Sequence, residues 1–242
     1  MKITISRKSN ENKYEETYEL KCEKYHNRLL DALHTIKNRQ DATLTFRSGC
    51  RSGVCGSCAV RVNGIEKLAC KCVIKDGDKI EPLANYEVLR DLVVDIEPVQ
   101  NKLKKIQPEI VKFSDSVIAK KDEKRIDKQS ECILCQSCYS SCPVILVNDR
   151  FLGPYALTKS YRYVEDKKEA LPLSKINAIQ TDGVWDCTLC GNCTMVCPQG
   201  IDPKNDILML RNISVMNGFS DPNASLQNFS FDFGFNPNGF WQ

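Results

Sequence analysis

The first hundred residues combine patterns typical of short strands with one pattern typical of a helix. Apolar and polar positions alternate over residues 2–7 and 15–21, as they do in half-buried strands. A helix is predicted over 28–39, capped by Asn27, with an apolar face made of Leu29, Leu30, Leu33 and Ile36. Further strands are predicted over 43–46, 59–62, 79–83 and 92–96. This order predicts a mixed α/β domain over residues 1–100.

From residue 98 onward the pattern changes from strands to helices. Residues 98–127 are rich in lysine and have apolar residues at helical spacing, which predicts a linker and surface helix over 101–127. Residues 128–217 are predicted to be mostly helical between runs of cysteine. Asp202 as cap and Pro203 in the first turn predict a helix that ends at Gly218. The predicted class is α+β, with an all-α second domain.

The tail over 218–242 is rich in Asn, Gly, Pro and Phe, and no regular structure is predicted for it. Within the tail, residues 228–235 alternate aromatic side chains with polar or small ones. This alternation is typical of a strand that docks on a partner. A disordered terminus is the equal alternative.

The composition limits the classes of partner. The chain has 242 residues, 42% hydrophobic and 27% charged, which is typical of a soluble globular protein with one large or two ordinary domains. Its formal net charge of +3 is near balance and indicates no nucleic-acid partner and no attraction to a membrane surface. No apolar run approaches the ~18 residues of a membrane span, and the first residues show no signal-peptide pattern. We therefore expect no direct transmembrane segment.

Cysteine is the unusual residue, because the sequence contains 14 of them. Disulfide frameworks are typical of short secreted chains, so metal ligation is the better hypothesis here. One run, C-x2-C-x2-C-x3-C-P, occurs twice, from Cys132 to Pro143 and from Cys187 to Pro198. In two-cluster ferredoxins the fourth cysteine of each such run ligates the other cluster.

This rule predicts two cubane clusters with crossed ligands. The first [4Fe–4S] cluster takes Cys132, Cys135, Cys138 and Cys197. The second takes Cys142, Cys187, Cys190 and Cys193. Zinc ligation is compatible with the C-x2-C pairs, but two matched runs that end in proline favour iron–sulfur clusters.

The first domain contains a third cysteine pattern. The spacing of Cys50, Cys55, Cys58 and Cys70 is typical of a plant-type [2Fe–2S] site and, with the strand order, predicts a β-grasp ferredoxin domain. The loop can fold so that backbone N–H groups point at the sulfurs, because it contains Gly49, Gly53 and Gly56. Two arginines, Arg47 and Arg51, either add positive charge at this site or merely solvate the loop.

Two cysteines and both histidines remain. Cys22 is predicted to be a small buried side chain, and Cys72 to be a packed thiol with a spare ligand as the alternative. His26 and His34 lie outside the cysteine loops, which argues against a Rieske centre. The sequence contains no dinucleotide fingerprint and no Ser/His/Asp set. We therefore predict no catalytic residue, and a chain that carries electrons without transforming an organic substrate.

Four segments resemble the iron–sulfur subunit of succinate dehydrogenase and fumarate reductase. They are residues 46–59 (FRSGCRSGVCGSCA), 91–95 (DLVVD), 131–135 (ECILC) and 151–154 (FLGP). The resemblance implies a respiratory complex in which a partner flavoprotein with FAD interconverts succinate and fumarate. This chain would relay single electrons between that flavin and a quinone at a membrane-anchor subunit. It would lie peripherally on the inner membrane through its partners, with the cytoplasmic face preferred to the periplasmic one.

Two departures from the family pattern involve four positions. Most members lack a cysteine at the position of Cys190 and hold a [3Fe–4S] third cluster, so Cys190 predicts [4Fe–4S], with [3Fe–4S] as the alternative. Many quinone-using members have a tryptophan pair where this chain has Leu146 and Val147, and a histidine at Thr188. Both departures resemble the variant group with a cysteine-rich, heterodisulfide-reductase-like partner. Another possibility is the same module serving a different flavoprotein, such as a thiol-linked fumarate reductase.

Overall fold

The computed structural model describes residues 1–10, 12–20 and 28–222, and in these residues the chain forms two hydrophobic cores. The first core lies between a sheet and one helix, and the second is built from helices and the loops that join them. Cys22, His26 and the predicted Asn27 cap lie outside the described residues. The alternating segment over 228–235 lies outside them as well.

A five-stranded sheet covers the first core. Its strands are β1 (Lys2–Ser9), β2 (Asn12–Glu19), β3 (Ala59–Val62), β4 (Ile65–Leu68) and β5 (Lys79–Glu81). The order across the sheet is β2-β1-β5-β3-β4, in which β1 and β5 are parallel and the other neighbours antiparallel. Helix α1 (Leu29–Arg39) buries the four apolar residues predicted for its face. The predicted alternation in β1 is confirmed, since Ile3 and Ile5 are completely buried.

The segment over 43–46 is not a strand, and this prediction is wrong. Asp91 Oδ2 accepts the backbone N–H of Thr45 at 2.7 Å, and the Thr45 carbonyl accepts the N–H of Leu92 at 3.2 Å. Asp91 is itself fixed by the buried Arg7, whose Nε donates to Oδ1 at 2.9 Å. The segment thus forms hydrogen bonds to the turn between two short strands, β6 (Val88–Arg90) and β7 (Val93–Val94). The strand predicted over 92–96 is therefore shorter than expected, since β7 has only two residues.

Within the described residues, eight α-helices and one 3₁₀ turn (Val184–Asp186) follow β7 along the chain. They are α2 (Glu97–Lys105), α3 (Lys120–Ser130), α4 (Ser137–Ser140), α5 (Val144–Val147), α6 (Pro154–Val164), α7 (Pro172–Ala178), α8 (Asn192–Met195) and α9 (Pro203–Met216). Helix α6 lies at the centre and contacts α3, α7 and α9. The predicted cap of α9 is confirmed, since Asp202 Oδ1 accepts the N–H of Asn205 at 3.1 Å. None of the described helices is long and apolar enough to cross a membrane.

The predicted linker contains two helices with an irregular segment between them. The surface helix is α3, which has no buried residue, whereas Ile106 at the end of α2 is completely buried in the second core. Residues 107–114 are not helical because they bond to distant groups. The carbonyls of Gln107 and Glu109 accept from Lys175 Nζ at 2.7 and 2.6 Å, and the N–H of Val111 donates to Glu169 Oε2 at 2.8 Å.

The two cores are joined at Asn85 and Tyr86. Asn85 Nδ2 donates to the carbonyls of Tyr139, Ser140 and Cys142, at 3.1, 2.9 and 3.1 Å, and so satisfies the end of α4. The Tyr86 ring packs against both cores. The first domain therefore positions the backbone that leads into the cysteine at 142.

Candidate iron–sulfur sites

The loop over 48–58 folds around the sulfur of Cys50. Its Sγ accepts backbone N–H groups from Ser52 at 3.4 Å, from Val54 at 3.3 Å and from Cys55 at 3.3 Å. Hydrogen bonds from Ser52, and then from the other two backbone N–H groups, lower the pKa of the Cys50 thiol to about 5. This lowered pKa favours the thiolate of Cys50, which is the form that binds iron.

Two of the predicted glycines shape this loop in different ways. A Cβ atom on Gly49 would lie 2.8 Å from Cys55 Sγ and 2.8 Å from Ser57 Oγ, so a side chain here would collide with a candidate ligand. Gly53 has φ +80, a conformation that side chains rarely adopt. The backbone N–H groups can reach the sulfur of Cys50 because the loop turns at these positions.

The two predicted arginines have different surroundings. Arg47 Nη2 donates to the carbonyl of Val94 at 2.9 Å and so braces the start of the loop against β7. Arg51 is exposed within the loop. Burial, and then the charge of Arg51, lower the pKa of His34, so the positive field of Arg51 does reach the side of the loop that faces α1.

The other two candidate ligands of this domain flank the β3–β4 hairpin, Cys58 just before β3 and Cys70 just after β4. The N–H of Ala69 donates to the carbonyl of Cys58 at 3.0 Å, which brings Cys58 beside Cys70. Both are buried, and burial raises the pKa of the Cys58 thiol to about 11. Cys72 is also buried, and its thiol donates to the Val73 carbonyl at 3.6 Å. The site thus has two exposed thiols on the loop and two buried thiols at the ends of the hairpin.

One pocket of the helical domain brings together four cysteines from both runs. They are Cys132, Cys135, Cys138 and Cys197. The remaining wall is mostly apolar and includes Tyr155 and Ile201. Burial raises the pKa of the thiols at 132, 135 and 138. Buried thiols lose their protons only when a positive charge compensates, and iron supplies that charge.

A second pocket brings together the other four cysteines. They are Cys142, Cys187, Cys190 and Cys193. Burial raises the pKa of the thiols at 142 and 187, and that of the thiol at 193 to about 12. Of the eight thiols in the two pockets, Cys190 is the exposed one. Lys204 of α9 also lines this pocket and adds a positive charge to it.

The two cysteine runs follow the same backbone path. In the first run, Leu134 and Gln136 have φ of 52 and 69; in the second, Leu189 and Gly191 have φ of 54 and 86. These pairs occupy equivalent positions in the repeat. Of these four residues, only Gly191 predicts the left-handed conformation from the sequence, because leucine and glutamine rarely adopt it. Of the other three residues, Gln136 is held by the Tyr86 hydroxyl, which donates to its Oε1 at 3.2 Å.

Two polar residues of α9 beside the pockets were missed by the sequence reasoning. Arg211 donates from Nε to the Val184 carbonyl at 2.8 Å and from Nη2 to the Cys187 carbonyl at 2.5 Å, which fixes the start of the second run. Burial raises the pKa of Asp206 to about 6, although Thr158 Oγ1 donates to it at 2.9 Å. Asp206 lies on the buried face of α9 with Ile207 and Leu210, and this placement was the available signal for it, whereas the sequence pattern contains no comparable signal for Arg211.

The donor sets of both pockets fit iron–sulfur clusters. Within the described residues, no three cysteine, histidine or carboxylate side chains are grouped as a single metal ion requires. The thiols are instead spread over the walls of each pocket, with apolar residues between them. A cluster in which each iron takes one thiolate matches this arrangement, and the apolar wall is the kind of shell that limits solvent access to a cluster.

Comparison with known proteins gives matches over both domains. A 2Fe-2S iron-sulfur cluster binding domain matches residues 2–101, and a 4Fe-4S dicluster domain matches residues 128–201. The 8-methylmenaquinol:fumarate reductase iron-sulfur subunit of Wolinella succinogenes is 35% identical over 237 residues, which cover 91% of this chain and 74% of the relative. The fumarate reductase iron-sulfur subunit of Mycobacterium tuberculosis is 37% identical over 191 residues, 74% of this chain and 77% of the relative.

A solved structure shares the fold. A chain of the Mycobacterium smegmatis Sdh1 complex in the apo form aligns with a TM-score of 0.79 at 21% identity, over 90% of this chain and 97% of that chain. The expected order of a 2Fe–2S domain followed by a 4Fe–4S dicluster domain is confirmed. These relatives do not favour the alternative of a different flavoprotein complex. The chain belongs to the family of iron–sulfur subunits of succinate dehydrogenase and fumarate reductase.

Proposed function

We propose that this chain relays single electrons between a flavoprotein subunit that interconverts succinate and fumarate and a quinone-reactive subunit. The observation that carries the proposal is the grouping of the thiols. Each of two pockets takes three thiols from one run and one from the other, and the loop of the first domain touches the first pocket at Gly56 and Cys135. Three redox centres in sequence suit one-electron transfer, and none of them needs a substrate site in this chain.

The proposed ligand sets are those predicted from the spacing. The [2Fe–2S] cluster takes Cys50, Cys55, Cys58 and Cys70; the first [4Fe–4S] cluster takes Cys132, Cys135, Cys138 and Cys197; and the second takes Cys142, Cys187, Cys190 and Cys193. Bound clusters supply the one-electron chemistry. The chain supplies the N–H groups at Cys50 and the apolar walls of the pockets, which tune a cluster's potential.

The domain limits follow from the same assignment. We infer a plant-type ferredoxin domain of the β-grasp type over 1–100, supported by the mixed sheet with α1 packed on it. A linker with surface helix spans 101–127, the two-cluster domain spans 128–217, and the irregular tail spans 218–242. FAD is assigned to the partner flavoprotein subunit, since the proposed sites of this chain consist of cysteine thiols.

The third cluster is proposed to be [4Fe–4S], and replacing Cys190 with serine tests this. The exposed corner of the cluster should then lose its iron, because only the thiolates of Cys142, Cys187 and Cys193 remain to hold the other three. The oxidised, anaerobically purified complex should gain the EPR signal of a [3Fe–4S] cluster. Thr188→Ser, in the same run, should not produce it. A [3Fe–4S] signal already present in the unmodified protein would show that Cys190 is not a ligand.

The quinone-side partner is proposed to dock beside the third cluster. Leu146 and Val147 of α5, which follow the proposed third-cluster ligand Cys142, are 76% and 87% exposed. Two adjacent apolar side chains exposed to this extent beside a proposed cluster support an interaction surface there. The partner is either a membrane anchor or a cysteine-rich subunit, and the methylmenaquinol named in one relative supports a quinol. The complex is assigned to the inner membrane, peripherally and on the cytoplasmic face.

The experiment that tests the function uses the complex purified with its partner subunits. We expect turnover of succinate or fumarate coupled to a quinone or quinol, and three cluster signals in an EPR redox titration. Metal analysis should find iron and acid-labile sulfide for all three clusters. Zinc in place of iron, or the absence of both activities from a fully loaded complex, contradicts the proposal.

A further inference from the structure

The loop of the first domain touches a candidate cluster ligand of the second domain at Gly56. A Cβ atom built on Gly56 would lie 2.8 Å from Cys135 Cα, 2.8 Å from Cys135 Cβ and 2.9 Å from the Ile133 carbonyl oxygen. Real Cβ atoms essentially never come that close to other atoms. Two of the three neighbours belong to the backbone and cannot rotate away. The main chain of the [2Fe–2S] loop therefore lies directly against the first cubane run.

An added Cβ at Gly53 or Gly64 of the first domain would not collide with the backbone of the second domain in this way. Gly56 has φ +71, but Gly53 and Gly64 have φ of +80 and +79, so a positive φ alone is not distinctive. At Gly53 the three atoms nearest to an added Cβ all belong to the flexible side chain of Lys71. At Gly64 it would meet only the guanidinium of Arg61, at 3.6 Å. Of these three glycines, Gly56 is the one at which the nearest neighbours of an added Cβ are atoms of the second domain.

Contacts from both domains hold the [2Fe–2S] loop close to the first cubane run. Ile133 and Cys135 pack against the core of the first domain. Gln199 Nε2, just after the second run, donates to the carbonyl of Gly53 at 3.2 Å. Tyr86 donates to Gln136 Oε1 at 3.2 Å. Because the loops are held together in this way, the smallest group between them determines how closely they approach.

We propose that Gly56 sets the distance between the [2Fe–2S] cluster and the first [4Fe–4S] cluster, and so acts as a positioning residue for electron transfer between them. This inference rests on the proposed function, because it needs clusters at Cys50 and its partners and at Cys135 and its partners. The transfer moves one electron from the reduced [2Fe–2S] cluster to the oxidised [4Fe–4S] cluster, with no bond formed or broken. The hydrogen side chain of Gly56 keeps that path short.

The test is the magnetic interaction between the two clusters in the complex carrying Gly56→Ala. When both clusters are reduced, the [4Fe–4S] spin accelerates relaxation of the [2Fe–2S] spin, and this effect falls steeply with distance. We expect the microwave power that half-saturates the [2Fe–2S] EPR signal to fall severalfold, with iron and sulfide content unchanged. Gly64→Ala is the matched control, because it has the same backbone strain without the contact, and it should leave the half-saturation power unchanged.

A second variant approaches the same contact from the other domain. Ile133→Ala removes packing between the first cubane run and the first domain without altering the [2Fe–2S] loop, and it should lower the half-saturation power in the same direction. If Gly56→Ala does not load the [2Fe–2S] cluster, the half-saturation power of Ile133→Ala tests the inference in its place. An unchanged half-saturation power in the loaded variants, or an equal fall in Gly64→Ala, overturns the inference. The absence of both cluster signals from the unmodified complex instead overturns the proposed function.

Discussion

Replacing Cys197 with alanine should remove the cluster held by the first cysteine run (Cys132 to Pro143). It should leave the cluster held by the second run (Cys187 to Pro198), although Cys197 belongs to that second run. The reason is the crossed grouping of the thiols, since Cys197 shares a pocket with Cys132 and not with Cys187. Without its fourth thiolate the first [4Fe–4S] cluster loses at least one iron. We expect its EPR signal to disappear, and electron transfer between the flavoprotein and the quinone side to fall to background.

Two further alanine variants complete this experiment. Cys142→Ala is the reciprocal change and should remove the cluster of the second run, because Cys142 lines the pocket of Cys187. Cys72→Ala is the matched control, a buried cysteine outside both pockets, and should retain all the iron if it is a packed thiol. The measurements are iron and sulfide per chain and an EPR redox titration. Loss of the second-run cluster in Cys197→Ala would mean that the ligands are not crossed.

Replacing Lys175 with methionine should cost about 3–5 kcal/mol of stability, as is typical when one partner of a buried ion pair is removed. The side chains of Lys175 and Glu169 are both 0% exposed, with Nζ 3.4 Å from Glu169 Oε2. Methionine fills much of the same volume but leaves the Glu169 carboxylate without its counter-charge. It also leaves the carbonyls of Gln107 and Glu109 without their donor.

The free energy of unfolding measures this effect, in anaerobic denaturant titrations followed by circular dichroism. The double variant Lys175→Met with Glu169→Gln should recover part of the loss, because no buried charge then remains unpaired. Lys128→Met removes an exposed ion pair with Glu131, whose side chains are 50% and 48% exposed, and should change stability by about 0–1 kcal/mol. A loss at Lys175 no larger than that at Lys128 would contradict the role of the buried pair.

Features that depend on neighbouring residues were predictable from the sequence. Helix α9 follows from Asp202 and Pro203, which act on the first turn beside them. The face of α1 follows from its spacing of apolar residues. The two groups of four thiols also follow from local spacing combined with one general rule about paired cysteine runs.

Features that depend on distant residues were not predictable in this way. The segment over 43–46 has the composition of a strand, but Asp91 takes its backbone N–H. The apolar spacing after α2 favours a helix, but Lys175 and Glu169 take the backbone groups of that segment. The contact of Gly56 with Cys135 likewise joins two domains whose relative placement no spacing rule contains.

The crossed pockets also impose an order on how the protein is made. A ribosome synthesises the four thiols of the first domain early, since the last of them is Cys70. The pocket of Cys132 stays incomplete until Cys197 has been synthesised, and the pocket of Cys142 until Cys193 has. Neither pocket can therefore be completed on a nascent chain that ends between the two runs. A chain truncated there should receive at most the cluster of its first domain during maturation.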